Sequence, residues 1–509
     1  MPPRRSIALG ATSVVAAFAL TLALAACDPL PGGGVVSTVG EVDFASPLRI
    51  PPLAESTTDD AGTRHFSLTA QAGSTEFTAG VATTTWGYDG DFLGPTLVAD
   101  AGEKVQVDIA NDLDEETTVH WHGMHLPAAA DGGPHSPIAP GASSSPAWRI
   151  DQSAATLWYH PHITGNTEHQ ASMGLDGLFI VRDAAEAALP LPRRYGVDDI
   201  PLVVQDVRFG DDGQFDTGVK GYIGTLGDQV LVNGSLGAHF DVTTTVVRVR
   251  LLNGSPARVY DFGFDDGRRF DQIASDGGLL EAPVATTGLV LSPGERAEIL
   301  VTLAPGESTV LRSTPPDLGM NPTTGERNGA SDSFDLLEMR AADTLATVGT
   351  LPAALVPVER LDPADAAKTR SFVLSDARIN NELMDMGRVD VVALLGDTEV
   401  WVVDNSMAQP HSFHVHGLQF QVLDIDGVAP PRGLAGWKDT VYVPPGSQYR
   451  LIMRFDDYAD PRTPYMFHCH LLQHEDDGMM GQFVVVEPGD EEYAGVSAAP
   501  AGGHTAHGG

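Results

Sequence analysis

Within thirteen residues the chain sets His468-Cys-His-Leu-Leu-Gln-His474-Glu-Asp-Asp-Gly-Met479-Met480. Two imidazoles, one thiolate and a long axial thioether are the donors of a blue-copper site. Cys469, His474 and Met479 supply three of them, and one distant histidine completes the set. If the segment enters on a strand, alternate side chains point to opposite faces. Cys469 then faces one metal while His468 and His470 face another. Donors to two metal centres are covalent neighbours, which gives electrons a through-bond path between them.

Three further clusters supply what this segment lacks: His120-Trp-His122-Gly, Trp158-Tyr-His160-Pro-His162 and His411-Ser-Phe-His414-Val-His416. Ten of the 17 histidines fall in the four clusters. A lone histidine is ordinarily a satisfied core or surface residue. Four clusters at two-residue spacing are not explained that way.

Together these motifs, in this order, resemble the multicopper oxidases: laccases, bilirubin oxidases and bacterial cuprous oxidases. The likeness covers nearly all of the chain after about residue 45. Tyr195-Gly-Val-Asp-Asp-Ile-Pro-Leu and Gln272-Ile-Ala-Ser-Asp-Gly-Gly resemble the bacterial branch. Ser412 stands where relatives often carry proline, a departure that removes no ligand. The resemblance implies four copper ions. His411, Cys469 and His474, with Met479 axial, would hold a type 1 copper. His120 and His414 would hold a type 2 copper. His122, His160, His162, His416, His468 and His470 would hold a type 3 pair. It implies one-electron oxidation of a donor at type 1 and four-electron reduction of dioxygen to water at the trinuclear cluster. No ligand is missing, which weighs against a copper-free scaffold protein.

The elements that must position these side chains repeat along the chain. Val105-Gln-Val-Asp-Ile-Ala-Asn111, Val247-Arg-Val-Arg-Leu-Leu-Asn253 and Val400-Trp-Val-Val-Asp-Asn405 are alternating strands ending in asparagine. His120 and His122 follow Asn111 by nine and eleven residues, and His414 and His416 follow Asn405 at the same offsets. From Asn253 those offsets give Phe262 and Phe264. Pro-Gly turns follow at Gly141, Gly294 and Gly446. With 55 glycines, 36 prolines and many short alternating segments, the chain reads as all-β. Three consecutive cupredoxin-like Greek-key β-sandwich domains are expected. They would span 46–186, 187–345 and 368–490, after a linker at 28–45 and with another at 346–367. The trinuclear site should lie at a pseudo-symmetric interface of domains one and three, and domain two should be a spacer without copper. A glycine- and histidine-rich tail at 491–509, holding His504 and His507, is expected to be disordered.

Residues 1–27 read as an export signal: Arg4 and Arg5, an apolar run from Ile7 to Ala26, and Leu24-Ala-Ala-Cys27, which resembles the lipobox of bacterial lipoproteins. The adjacent arginines also allow twin-arginine export. The protein is therefore expected outside the cytoplasm or in the periplasm, lipid-anchored at Cys27. There are two cysteines; with Cys27 acylated and Cys469 on copper, no disulfide forms. Loss of Arg4 and Arg5 takes the formal charge from −38 to −40. Such a surface disfavours nucleic acid and suits solubility or the concentration of cationic donors. A monomer is assumed.

Oxygen reduction consumes protons, so carboxylates are needed nearby. Asp131 and Glu475 match proton-relay acids of the family and are the catalytic candidates. Asp439 is family-like but has no role assigned by sequence. The electron donor should approach through His411 or His474, whichever imidazole reaches the surface. The 12 methionines are scattered, with no methionine-rich insert. Thioethers suit Cu(I), so phenols and aromatic amines rank first as donors. Cu(I) or another metal ion ranks second. A nitrite reductase is disfavoured by the third domain and the eight-histidine set.

Overall fold

The computed structural model describes residues 34–218 and 221–495. Cys27 with the expected signal, and His504 and His507, lie outside the described residues. Six sheets stack in three β-sandwiches. In the first, the sheet carrying Thr63–Thr78, Val81–Tyr88 and Lys104–Asn111 faces a sheet ordered Leu97–Asp100, Gly177–Arg182, Ala155–His160, His120–His122. Alternation in Lys104–Asn111 buries Val105, Val107 and Ile109 against Trp121, Leu157 and Phe179. The third sandwich is built alike. Ala366–Ser375, Thr398–Asn405 and Ser447–Arg454 face Met480–Val486, Asp460–Cys469, His411–Val415 and Thr440–Val443. Phe372, Trp401, Phe413 and Phe467 fill its core.

The second sandwich spans Asp199 to Ala346 and takes Phe262 and Phe264 into its core. Its sheet edge also recruits Ser46–Pro47, which pairs parallel with Ala238–His239. Residues expected in the first linker pack on the same unit: Val36 N–H donates to Asp332 and Gly40 N–H to Asp335. In the second expected linker, Leu355, Val358 and Leu361 are buried.

The repeated asparagines are fully buried and serve one purpose three times. Asn111 Nδ2 donates to the carbonyls of Glu115 and Ile138, Asn253 Nδ2 to those of Arg258 and Leu291, and Asn405 Nδ2 to those of Gln409 and Val443. Each Oδ1 accepts the N–H two residues on. Each backbone carbonyl accepts the N–H of the turn glycine, Gly141, Gly294 or Gly446. The side chain thus closes the loop between the repeat strand and the strand that carries the histidines or, in the middle copy, the phenylalanines. Buried carbonyls need such partners.

Candidate metal centres

The strands His411–Val415 and Asp460–Cys469 pair antiparallel, with Phe413 opposite Cys469 and His414 opposite His468. Alternation then separates two sets of donors. Cys469 turns into the core of the third sandwich. Its Sγ lies 3.5 Å from His411 Nδ1 and 3.6 Å from His474 Nδ1. His474 comes from the short helix Leu472–Asp476 that follows the strand. Met479 is buried in the same core. Its backbone closes the loop: Cys469 N–H donates to Met479 O at 3.1 Å, and Met479 N–H to His474 O at 2.8 Å. Burial pushes the Cys469 thiol up to about 12, although the backbone N–H groups of Leu471 and Ser412 pull the other way. A thiolate here needs a cation beside it.

On the other side of these strands, eight imidazoles meet between the first and third sandwiches. His120, His122, His160, His162, His414, His416, His468 and His470 are all buried. His162 Nε2 and His416 Nε2 lie 3.2 and 3.0 Å from His468 Nε2. His122 Nδ1 lies 3.4 Å from His160 Nε2. The His470 ring sits 4.9 Å from that of His122 and 5.2 Å from that of His160. His120 stacks on His416, and His122 on His414, both at 3.7 Å between ring centres. The expected pseudo-symmetry is visible in these two stacks.

Two aspartates carry the same symmetry. The Asp131 carbonyl accepts from His120 Nδ1 at 3.0 Å, and its Oδ2 from His416 Nδ1 at 2.8 Å. The Asp439 carbonyl accepts from His414 Nδ1 at 2.9 Å, and its Oδ1 from His122 Nε2 at 3.0 Å. Each acid therefore orients one imidazole of its own sandwich and one of the other. Glu475 bridges a third pair, 3.3 Å from His162 Nδ1 and 3.2 Å from His468 Nδ1. Burial raises the pKa of Glu475, but the imidazoles of His162, His468 and His470 outweigh it and hold the carboxyl well below the usual range.

Burial first, then neighbouring imidazoles, lowers the pKa of His122, His160, His414 and His416 well below the ordinary value. Burial brings His162 and His470 down to about 3. These rings are neutral near pH 7, the form that binds a metal. Among the described residues, His120 Nε2, His414 Nε2 and both ring nitrogens of His470 have no hydrogen-bond partner. Buried nitrogens left so are costly. A metal between them removes that cost, and an imidazole-and-thiolate donor set suits copper. Groups of three donor atoms converge at His162, His416 and His468, at His120, His122 and His160, and at His411, Cys469 and His474, each within 4.8 Å.

Among the described residues the donor groups above come from the first and third sandwiches, and the second sandwich reaches both centres from outside. Arg296 donates from Nη1 and Nη2 to the two Asp439 oxygens at 2.7 and 2.6 Å. Gly294 lies so close to the cluster that a Cβ there would stand 3.0 Å from the His470 ring and 3.1 Å from that of His122. Tyr222 reaches the other centre: His474 Nε2 donates to its carbonyl at 3.3 Å, and its side chain is 60% exposed. This corrects the expectation that His411 or His474 opens to solvent. Both are buried, and the second sandwich covers His474. Sequence reasoning left Asp439 without a role and missed Arg296 and Tyr222. Gly294 is marked in the sequence by its Pro-Gly turn, and Asp439 by its likeness to the family, but neither with its contact to the cluster.

Two family profiles, both described as multicopper oxidase, match residues 69–186 and 356–489. The chain is similar to the multicopper oxidase mco of Staphylococcus haemolyticus, with 35% identity over 86% of this chain and 91% of that protein. It is similar to the cell division protein FtsP of Salmonella typhimurium, with 35% identity over 86% of this chain and 92% of that one. Among solved structures it resembles the laccase-like multi-copper oxidase CueO of the lignin-degrading bacterium Ochrobactrum sp. The identity there is 37% and the TM-score 0.78, covering 86% of this chain and all of that one.

Proposed function

The chain belongs to the multicopper oxidases, copper-using oxidoreductases, and from that premise we propose a laccase-like enzyme that oxidises phenols or aromatic amines and reduces dioxygen to water. The observation that carries the reading is the placement of Cys469 between His468 and His470, its sulfur in one donor set and their imidazoles in the other. Four coppers are proposed. His411, Cys469, His474 and Met479 would hold type 1, His120 and His414 type 2, and the remaining six imidazoles the type 3 pair. Bound copper would supply the one-electron chemistry, accepting electrons singly and delivering four to dioxygen.

The chain's own residues do the rest. The covalent path His468-Cys469-His470 links the two centres. Asp131, Asp439 and Glu475 fix the ring orientations. Asp131 Oδ2 and the Glu475 oxygens are the proposed carriers of the protons that oxygen reduction consumes. At the donor side, the Tyr222 carbonyl over His474 leaves a bulky donor to approach against a protein surface rather than against a bare imidazole. The sequence holds no methionine-rich insert of the kind that would receive Cu(I). The Ochrobactrum relative is described as having oxidase activity towards lignin model compounds and lignosulfonate, which supports a phenolic donor here. The likeness to FtsP brings a cell-division name, but all twelve proposed ligands are present in this chain, and that favours an oxidase.

Export and lipid attachment at Cys27 are part of the proposal. Two or more acyl chains give stable anchoring where one is marginal, so Cys27→Ala should release the protein or block its processing. The function is tested with copper-loaded enzyme given 2,6-dimethoxyphenol or Cu(I), with and without free Cu(II). Phenol turnover without free Cu(II) is expected. Turnover that appears only when free Cu(II) is added would favour a cuprous oxidase of copper tolerance.

A further inference from the structure

We propose that Lys438 is a positioning residue of the trinuclear centre: its ammonium, held by two acids of the second sandwich, fixes the peptide from which Asp439 orients His122 and His414. The inference rests on the copper reading of those imidazoles. Four consecutive residues of the third sandwich, Trp437 to Thr440, run along the second sandwich, and each bonds to it. The Trp437 carbonyl accepts the Gly277 N–H at 2.8 Å and Ser275 Oγ at 2.9 Å. Lys438 Nζ lies 2.8 Å from Asp276 Oδ2 and 3.0 Å from Glu295 Oε1. Asp439 takes the Arg296 guanidinium. The Thr440 N–H donates to Asp276 Oδ2 at 3.4 Å. Lys438, Asp276 and Glu295 are all buried.

Both acids are fixed in turn. Glu295 Oε2 accepts the N–H and Oγ of Ser292 at 2.7 and 2.8 Å, in the turn whose Gly294 stands against His470 and His122. Asp276 Oδ1 accepts the Arg296 N–H at 2.7 Å. The Lys438 backbone is anchored in the other direction, exchanging N–H···O bonds of 2.9 and 2.7 Å with Phe420 in the core of the third sandwich. A buried ammonium is costly unless it is paired, so its nitrogen is held where both acids reach it. The peptide behind it carries the Asp439 carbonyl, which accepts from His414 Nδ1, and the Asp439 carboxylate, which accepts from His122 Nε2. A shift of that peptide is therefore felt at two imidazoles of the cluster. The type 1 donors stand on other segments, with His411 opposite Val443 at the far end of the neighbouring strand.

The test compares copper-loaded wild type with Lys438→Met, with Glu295→Gln, and with the two changes combined. Lys438→Met keeps the length of the side chain and removes its charge. Glu295→Gln keeps the shape of the acid and loosens one tie while the buried cation stays paired with Asp276, so it decides the matter even if Lys438→Met does not fold. The combined variant removes one charge of each sign. Three quantities are read: the magnetic resonance spectrum of the type 2 copper, the rate at which copper is lost to a chelator, and the thiolate-to-copper absorption band. In each variant the type 2 spectrum should shift and the trinuclear copper should be lost about 10–100-fold faster, the range for groups that support a ligating imidazole. The absorption band of the type 1 centre should stay in place. A folded variant that is less stable to denaturant but keeps the wild-type type 2 spectrum and copper retention makes Lys438 a tie between sandwiches and overturns the proposal, as does a variant whose type 1 band moves along with the type 2 spectrum. A wild type that binds copper without any type 2 signal refutes the copper reading itself, which is a different failure.

Discussion

Asp439 illustrates what a single residue does here and why its part was hidden. The histidine ligands are legible in the sequence because a metal takes donors from alternate positions of one strand, so the pattern is local. The partners of Asp439 are not local: His122 lies 317 residues away, and Arg296 143. Nothing in the segment Trp437-Lys-Asp-Thr announces either contact. The sequence marks Asp131 as a candidate proton carrier, while its grip on His120 and His416 emerges only with the fold. The pair makes a contrast. Asp131→Asn and Asp439→Asn should each loosen one ring of the cluster and weaken copper retention by about 10–100-fold, the usual range for such supporting groups. Asp439→Asn should also destabilise the fold, by about 3 kcal/mol, because it removes the carboxylate that pairs closely with the buried Arg296 guanidinium and leaves only Asp276, at 3.8 Å. Copper content after dialysis against a chelator and chemical denaturation of each variant check both parts. Equal stability in the two variants would count against the Arg296 contact.

Among the elements, the asparagine-ended strand and its Pro-Gly turn were readable three times over, because the same loop must be closed in each sandwich. The repeat could not reveal that the middle turn lies against the candidate ligands His470 and His122. Gly141, Gly294 and Gly446 all adopt left-handed φ, at 72°, 84° and 77°. A side chain at Gly141 or Gly446 would meet open space, whereas at Gly294 it would press on His470 and His122. Gly141→Ala and Gly446→Ala should therefore cost only backbone strain, about 1–2 kcal/mol, with unaltered copper spectra. Gly294→Ala should cost more and should change the magnetic resonance or absorption signature of the trinuclear copper. Three indistinguishable variants would mean that the second sandwich does not press on the cluster. The same limit on sequence reading explains Ser46–Pro47. A two-residue strand has no periodicity of its own, so nothing in it foretold pairing with the second sandwich rather than membership of the first.

At the scale of the whole molecule, a chain of net charge −38 has to hold three sandwiches together against its own repulsion. Buried arginines do this where the first and second sandwiches meet. Arg248 joins Glu186 at 2.6 Å and bonds Glu298 at 2.8 Å, and Arg250 joins Asp199 and Glu298 at 2.6 and 2.8 Å. Thr156 of the first sandwich donates to Glu298 at 2.7 Å. Composition foretold the excess of acid but not this use of the few cations, since the network joins residues from Thr156 to Glu298 that no local pattern connects. Burial alone would raise the pKa of Glu298, but Arg248 and Arg250 outweigh it and bring the carboxyl from 4.5 down to about 2. A depressed folded-state pKa contributes stability above the unfolded value, and that stability is lost as pH falls through the folded one. For Glu298 the contribution is of the order of 3 kcal/mol, complete above about pH 4.5 and lost toward about pH 2. Glu298→Gln should therefore be less stable than wild type at pH 6, with the difference narrowing as the pH is lowered through that window. Denaturation of both proteins at a series of pH values between 6 and 2.5 reads the difference directly. A gap that stayed constant over that range would show that Glu298 keeps its proton behaviour on unfolding, and that the arginine network does not hold the first two sandwiches together in the way its geometry implies.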